Sequence, residues 1–249
     1  MELDGYEVVG YAGAGQAYNA WLYRVRRHLF RRHVAPLVSS ESSVLDVGSG
    51  SGFYLRRWRE AGVRDLTGSD VADAAVRGLR QRHAGTPILG FDLAGARSSL
   101  PQRRYDVVSA FDVLFHIVDD SAYRRALENL AELVAPGGLL VFSENFRRSG
   151  VRRYAAVQVN REESEIVDAL RSAGFDVSER RAMFAVMNAP ACGGGPLLRA
   201  WWRRVHGLLI ARPRAGSLLG PVLYPAELAI LRLIRRAPST ELALCRRRG

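Results

Sequence analysis

Short runs of apolar residues alternate along this chain with segments in which apolar residues recur every three or four positions. The apolar runs predict seven strands, at residues 44–47, 65–69, 88–91, 105–110, 139–143, 175 to about 187, and 240–245. The periodic segments predict helices at residues 53–60, 73–83, 121–134 and 164–173. Asp119 or Asp120 can cap the third of these helices, and Pro136-Gly137-Gly138 is predicted to end it. This alternation predicts an α/β fold with a mostly parallel seven-stranded sheet and helices on both faces.

An amphipathic helix is predicted ahead of the first strand, at residues 16–38, where Pro36 can break it. It can pack on the side of the core, which is the favoured interpretation for most of its apolar stripe. Alternatively it can cap a ligand site, with Tyr11, Tyr18 or Trp21 reaching in. The stripe consists of Tyr18, Trp21, Leu22, Val25, Leu29, Val34 and Leu37.

Residues 190–238 interrupt the strand–helix rhythm. They contain apolar residues at helical spacing, but prolines and charges break the run, so no membrane-spanning helix is predicted. The first helical piece carries Trp and Leu on one face and Arg on the other, which is typical of an interfacial helix and also of a helix packed on its own protein. We expect one domain with a helical cap at residues 1–40, a core at 41–189, this insert at 190–238 and the last strand at 239–249.

The composition fits a folded domain in a reducing compartment. The chain has 249 residues, of which 48% are hydrophobic. Cys192 and Cys245 form no motif that would suggest a disulfide framework or a zinc site. The amino terminus does not resemble a signal peptide, so a cytoplasmic protein is expected, with peripheral membrane contact through residues 195–236 as an open alternative.

The basic charge has two interpretations. The net charge is +11 and all 36 basic residues are arginine, because lysine is absent. Arginine could serve polyanion binding, but its wide spread along the chain favours solvated faces on an arginine-biased protein. Nucleic acid is therefore not the expected partner.

A glycine-rich turn follows the first strand and carries the chemistry. The spacing Gly48-x-Gly50-x-Gly52 is one residue shorter than the dinucleotide fingerprint. Asp46 lies just ahead of the turn, where a carboxylate would repel a pyrophosphate and favour a cation. Asp70 and Asp92 close the next two strands, where they could accept from ribose hydroxyls and from an exocyclic amine. Three such acids suit a ligand that contains an ammonium, a ribose and an adenine.

These motifs, in this order, resemble those of class I S-adenosylmethionine-dependent methyltransferases, which have a Rossmann-like fold whose seventh strand is antiparallel. The resemblance covers about residues 40–185 and the last strand. The matching stretches are residues 44–52, 68–71, 91–93, 105–116 and 133–141.

The resemblance implies the roles of the site residues. S-adenosylmethionine would be the cofactor, with Asp46 orienting its amino group and Phe111 near the transferred methyl. For Asp70 and Asp92, ordinary capping of a strand end is the competing interpretation. The residues expected to bind the cofactor are Asp46, Gly48, Ser49, Gly50, Asp70, Val71, Asp92, Leu93 and Phe111, and no metal site is expected.

A general base is needed only when the acceptor carries a proton at working pH. His116, which follows the fourth strand, is the leading catalytic candidate, although a histidine that braces the cofactor pocket is the favoured alternative. Glu144, at the end of the fifth strand, could touch the acceptor or could pair with Arg147 or Arg148. The motifs for methylation of nucleic-acid bases are absent.

The sequence therefore predicts methyl transfer to oxygen or nitrogen of a small acceptor. Because the insert at residues 190–238 starts at the carboxyl ends of the strands, its Leu and Trp residues suggest an apolar or lipid-linked acceptor or a membrane-facing surface. A helical pair buried against the sheet or a partner subunit is the equal alternative. A natural product or sugar intermediate is also a candidate acceptor. The alternatives are an RNA methyltransferase that docks through arginines, and a non-catalytic methyltransferase-like subunit.

Overall fold

A computed structural model describes residues 15–150, 152–154 and 157–249. Seven strands form one sheet in the order β3-β2-β1-β4-β5-β9-β8, and two short strands form a separate pair. The strands are β1 Ser43–Val47, β2 Asp65–Asp70, β3 Ile88–Gly90, β4 Tyr105–Ala110, β5 Val134–Glu144, β6 Arg152–Tyr154, β7 Gln158–Asn160, β8 Phe175–Ala182 and β9 Glu241–Arg247. The helices are α1 Gly15–Leu29, α2 Phe53–Glu60, α3 Asp73–Arg82, α4 Asp120–Leu133, α5 Glu163–Ser172, α6 Pro196–Ala211 and α7 Gly216–Leu233.

The predicted α/β architecture is confirmed. Strands β1 to β5 pair in parallel, whereas β9 pairs antiparallel with both β5 and β8. Helices cover both faces because the strands bury side chains in both directions: Val44 of β1 lies in one apolar core with α1, α2 and α7, and Leu45 lies in the other with α4 and α5. The carboxyl ends of the parallel strands therefore form one open edge.

Two predicted strand boundaries were wrong. Strand β5 begins at Val134, directly after α4, and the Pro-Gly-Gly segment lies inside it at a register shift. Gly137 has a φ of 71° there, so the segment bends the strand and does not precede it. Strand β8 ends at Ala182, and the residues that follow turn towards the helical insert. The cap of α4 was correct, because the Asp119 side chain accepts from the amide of Ala122 (2.7 Å).

The amino-terminal helix is regular only as far as Leu29. A π-helical turn (Phe30–Val34) and a 3-10 turn (Ala35–Leu37) follow it, which agrees with a break near Pro36. Most of the predicted stripe is buried in the core, but Leu37 is 43% exposed and was wrongly included.

The insert between β8 and β9 packs on the amino-terminal helix. Helix α7 contacts α1 through two glycines: a Cβ at Gly216 would lie 2.8 Å from the backbone nitrogen of Tyr18, and one at Gly220 would collide with the ring of Trp21. The buried Glu227 carboxylate accepts from the amides of residues 185, 186 and 187 (2.5, 2.9 and 3.0 Å). None of the described helices combines the length and the apolar character that a membrane span requires.

We predict that Gly216→Ala destabilises the protein by roughly 1–3 kcal/mol, because the new methyl group meets the backbone of α1, which cannot move aside as a side chain can. Urea unfolding at constant pH measures the effect.

The matched control is Gly207→Ala in α6, where nothing lies within 4 Å of the new Cβ. This substitution should stabilise the helix by about 0.5–1 kcal/mol. Equal effects of the two substitutions would contradict the close packing of α7 on α1.

Candidate active site

The turn between β1 and α2 bends through three glycines in the left-handed backbone region. The φ angle is 67° at Gly48, 52° at Gly50 and 83° at Gly52, values that residues with a Cβ rarely adopt. A Cβ at Gly48 would also collide with the side chain of Val113, which follows β4. Backbone conformation and close packing therefore both require glycine at position 48.

Ser49 holds this turn against the neighbouring strand. Its amide donates to the carbonyl of Ser69 at the end of β2 (2.7 Å), and its hydroxyl donates to the carbonyl of Asp46 (2.9 Å). The structure thus gives the predicted cofactor-binding Ser49 an architectural role in the turn.

Asp46 is buried at the end of β1. One carboxylate oxygen accepts from the Ser109 hydroxyl (2.6 Å), which also accepts from the indole of Trp58 (3.1 Å). The other oxygen, Oδ2, has no hydrogen-bond partner among the described residues. Burial raises the pKa of Asp46 to about 6, although the hydrogen bond from Ser109 and the nearby Ser49 hydroxyl oppose the shift. A buried acceptor without a partner is costly, so a cationic donor at this position would be favourable.

Asp70 and Asp92 both lie at the sheet edge where the sequence predicts them. Asp70 accepts from the amide of Gly50 (2.9 Å) and from that of Ala72 (3.0 Å), so it braces the glycine turn from the neighbouring strand. Asp92 accepts from the amide of Ala94 (2.9 Å). Both therefore cap strand ends. Because an ionised carboxylate accepts about four hydrogen bonds, these bonds leave capacity for a ligand.

The three predicted apolar contacts differ in exposure. Val71 is 68% exposed next to Asp70, whereas Leu93 and Phe111 are buried. The ring of Phe111 stacks on that of Tyr54, with centroids 3.7 Å apart. The structure brings Asp46, Asp70 and the glycine turn into direct contact, and Val71 offers an open apolar surface beside them.

An ion pair that the sequence pattern did not reveal lies at the end of β4. Asp112 has a φ of 58° and is the only residue other than glycine with a positive φ in the part of the chain that the structure describes. Its carboxylate pairs with Arg26 of α1 (2.6 Å) and accepts from the Ser143 hydroxyl (2.7 Å). Burial lowers the pKa of Arg26, but Asp112, Tyr54 and Tyr23 together outweigh burial and raise the pKa above its ordinary value. The pair fastens α1 across the end of β4.

The aromatic candidates of α1 do not reach a ligand site. Tyr18 is fully buried and donates to the carbonyl of Met187 (2.9 Å), and Trp21 packs against Tyr224 with ring centroids 5.4 Å apart. Tyr11 lies outside the described residues. The packing interpretation of this helix is therefore correct for Tyr18 and Trp21.

His116 lies exposed in a 3-10 turn after β4. Its Nδ1 is 2.8 Å from the carbonyl of Val157. Because a carbonyl only accepts, Nδ1 carries the hydrogen in this arrangement and Nε2 keeps its lone pair. Nε2 is then the nitrogen that could receive a proton.

Glu144 is buried at the end of β5 and pairs with neither Arg147 nor Arg148. One oxygen accepts from the amide of Asn145 (2.7 Å), while Oε2 has no hydrogen-bond partner among the described residues. Arg147 instead donates to the backbone carbonyl of Ala191 (2.9 Å). Burial raises the pKa of Glu144 to about 8, against the opposing effects of the Asn145 amide and Arg161.

Other buried polar atoms surround Glu144. Arg161 lies over the ring of Tyr123, 3.9 Å from its centroid, and donates to Asp120 (2.8 Å). The Tyr123 hydroxyl, Asn160 Nδ2 and Arg161 Nη1 have no hydrogen-bond partner within the described residues. The sequence interpretation missed this cluster because its members lie far apart along the chain. Three donors and a carboxyl group of raised pKa are thus buried in this region without hydrogen-bond partners among the described residues.

We predict that stability falls as the pH rises from about 4.5 to about 8, in part because of Glu144. Within this window the folded state keeps a proton on Glu144 that the unfolded state releases, so raising the pH favours unfolding. Glu144→Gln, which imitates the protonated form, should flatten this decline in a series of urea unfolding curves at different pH.

Glu128→Gln on the exposed side of α4 is the control, and should leave the pH dependence unchanged. Parallel declines in wild type and Glu144→Gln would show that Glu144 is ionised in the folded protein.

The described residues fit the cofactor that the motifs imply. Asp46 offers a buried oxygen to an ammonium, Asp70 offers remaining acceptor capacity beside the glycine turn, and Val71 offers an apolar surface. These groups would hold the methionine, ribose and adenine parts respectively.

Two curated relatives match parts of the chain. Nodulation protein S of Sinorhizobium fredii is 30% identical over 113 residues, which cover 44% of this chain and 52% of that protein. A ubiquinone biosynthesis O-methyltransferase of Cereibacter sphaeroides is 28% identical over 169 residues, which cover 60% of this chain and 66% of that protein. The chain thus spans about half the length of the nodulation protein that it matches.

Two solved structures share the fold. The N-methyltransferase NodS of Bradyrhizobium japonicum in complex with S-adenosyl-L-homocysteine has 18% identity and a TM-score of 0.57, over 92% of this chain and 88% of that chain. The [4+2]-cyclase SpnF also has 18% identity and a TM-score of 0.57, over 91% of this chain and 80% of that chain. At these identities the likeness concerns the fold alone.

The family follows from a match over most of the chain. A model of the methyltransferase domain matches residues 18–180, which run from α1 into β8 and include every predicted cofactor-binding residue. The chain therefore belongs to this methyltransferase domain family.

Proposed function

We propose that the protein transfers a methyl group from S-adenosylmethionine to an oxygen or nitrogen of a small acceptor that is apolar, lipid-linked, or a natural product or sugar. The observation that carries the proposal is the pair of carboxylates, Asp46 and Asp70, on either side of the glycine turn at the sheet edge. Family membership supports the same activity. The names of the relatives include both an N-methyltransferase and an O-methyltransferase, so they leave the methylated atom open.

The residues on the cofactor side of the site would bind the cofactor and orient it. When bound, the cofactor supplies a methyl group on a sulfonium, which is already activated for in-line displacement. Asp46 would accept from the ammonium through Oδ2, and Asp70 would accept from the ribose while it holds Gly50 in place. Asp92 and Leu93 would lie next to the adenine on the side of β3. Phe111 would limit the space near the methyl group.

The acceptor side has two candidates for removing a proton. His116 presents Nε2 at an exposed position, which suits a group that meets the acceptor as it enters. Glu144 is buried beside unpartnered donors, and its raised pKa suits a proton acceptor that works near neutral pH. We propose that the donors around Glu144 bind a polar group of the acceptor.

We also propose that residues 195–236 make peripheral contact with a membrane. Helix α7 exposes a continuous apolar face, and Glu227, the only acidic residue between 196 and 239, is buried. An apolar face with arginines and no exposed acid suits an anionic membrane surface. The exposed residues of the face are Leu218, Pro221, Val222, Pro225, Ala226, Ala229 and Leu233.

We predict that Asp70→Ala weakens the binding of S-adenosylhomocysteine roughly 10- to 100-fold, because it removes charge-assisted hydrogen bonds to the ribose and to the glycine turn. Isothermal titration calorimetry measures the change. Asp73→Ala, in the first turn of α3, removes a nearby exposed carboxylate and should leave the affinity within about twofold.

If the wild type does not bind S-adenosylhomocysteine, the non-catalytic alternative is favoured over methyl transfer. In the same experiment His116→Asn and Glu144→Gln should leave cofactor affinity nearly unchanged, because both residues are assigned to the acceptor side. A large loss in either variant would remove that residue from the acceptor side.

We predict that Val222→Glu reduces flotation of the protein with vesicles of phosphatidylcholine and phosphatidylglycerol, because a carboxylate would enter the apolar face of α7 and meet the anionic surface. Val222 is 70% exposed, so the substitution does not disturb the core.

Leu37→Glu provides a control of the same chemistry at an exposed site outside α7. It should leave flotation unchanged apart from the small effect of net charge. An equal loss in both variants would indicate that net charge, and not the face of α7, controls the association.

A further inference from the structure

The outer side of α1 and of the π-helical turn that continues it (Phe30–Val34) carries a row of cationic residues. Positions 24, 27, 28, 31 and 32 follow the three- and four-residue spacing of one helix face, whereas Leu22, Val25 and Leu29 on the opposite face are buried. The row therefore points away from the core, towards the side of α7.

A concave space lies between this row and α7. It has a volume of about 670 Å³, within the range of small-molecule sites. Among the residues that the structure describes, its lining contains no acid and consists of Arg24, Arg27, His28, Arg31, Arg32 and Tyr224.

The positive charge in this cavity is only partly balanced. Glu60 lies 3.6 Å from Arg27, but it also pairs with Arg57 at 2.5 Å. Arg31 and Arg32 have no ion pair with any of the described residues. Burial lowers the pKa of His28, and Arg32 and Arg31 of the π-helical turn and Arg232 of α7 lower it further, which agrees with a positive potential in the cavity.

We propose that the cavity between α1 and α7 binds a phosphate ester. A guanidinium offers paired N–H donors that match two phosphate oxygens, and several converging arginines favour a diphosphate or a phosphate with further anionic groups. The Tyr224 hydroxyl adds a neutral donor. The phosphate can belong to the headgroup of an anionic lipid, since the exposed face of α7 begins beside Tyr224, or to a free phosphorylated molecule.

The site does not depend on methyl transfer, and the test separates the two. Inorganic pyrophosphate is titrated into the full-length protein by calorimetry, while NMR follows the ring signals of His28. The variant is Arg31→Gln/Arg32→Gln, which removes two exposed arginines without an ion pair in the described structure. The control, Arg77→Gln/Arg124→Gln, makes the same charge change on exposed positions of α3 and α4.

We expect pyrophosphate to bind the wild type at one site, to shift the His28 signals, and to bind the cavity variant at least about tenfold more weakly, as expected from the loss of charge-assisted hydrogen bonds. The control should bind as the wild type does. Equal affinity in both variants, or the absence of binding to the wild type, would overturn the proposal. Retained binding of S-adenosylhomocysteine in the cavity variant shows that it is folded.

Flotation of the same proteins distinguishes the two sources of phosphate. If pyrophosphate releases the wild type from phosphatidylglycerol vesicles, and the cavity variant floats less than the control, the ligand is a lipid headgroup. If pyrophosphate binds the cavity but flotation is the same for both variants, the ligand is a free phosphate ester.

Discussion

The ion pair between Arg26 and Asp112 determines how the amino-terminal helix meets the sheet. Asp112 holds a left-handed backbone conformation that costs roughly 1–2 kcal/mol for a residue other than glycine. The ion pair of its carboxylate with Arg26 and the hydrogen bond from the Ser143 hydroxyl offset this cost. Because Arg26 lies on the inner side of α1, the pair also fixes the rotation of that helix. The arginines of the outer side then face α7, which packs on α1 through Gly216 and Gly220.

The proposed cofactor half of the site could be derived from the sequence because that half is built from local pattern. A buried strand, an acid and a glycine turn are consecutive in the chain, and Asp70 closes the next strand in the same way. Parallel pairing of β1 and β2 then brings Asp46 and Asp70 together without further information. The antiparallel last strand, by contrast, was predicted from the family resemblance and not from local pattern, and it is confirmed.

The proposed acceptor half could not be predicted in this way, because its geometry depends on contacts between residues that are far apart in the sequence. Arg26 was one arginine among many in a periodic helix, and nothing in its spacing distinguished it from Arg27. For Glu144 the sequence left open whether it touches the acceptor or pairs with a neighbouring arginine, and it did not predict that the tertiary fold buries this residue near Tyr123 and Arg161. The predicted start of β5 and the predicted end of β8 were also wrong. The bulge in β5 and the turn that follows β8 depend on the elements that pack against these strands.

Tertiary contacts also decide which residues the insert presents to a proposed partner. Three backbone amides after β8 converge on the carboxylate of Glu227, so the one acid of the insert is used inside the fold. The charged residues that the insert presents to solvent are consequently all arginines. The apolar face of α7 and the cavity beside it then lie on the same side of the molecule as the arginines of α1. A surface of this composition suits the anionic, partly apolar partner proposed above, whereas the sheet edge suits the proposed cofactor. The two proposed sites use different residues, so the effect of a substitution in one can be interpreted independently of the other.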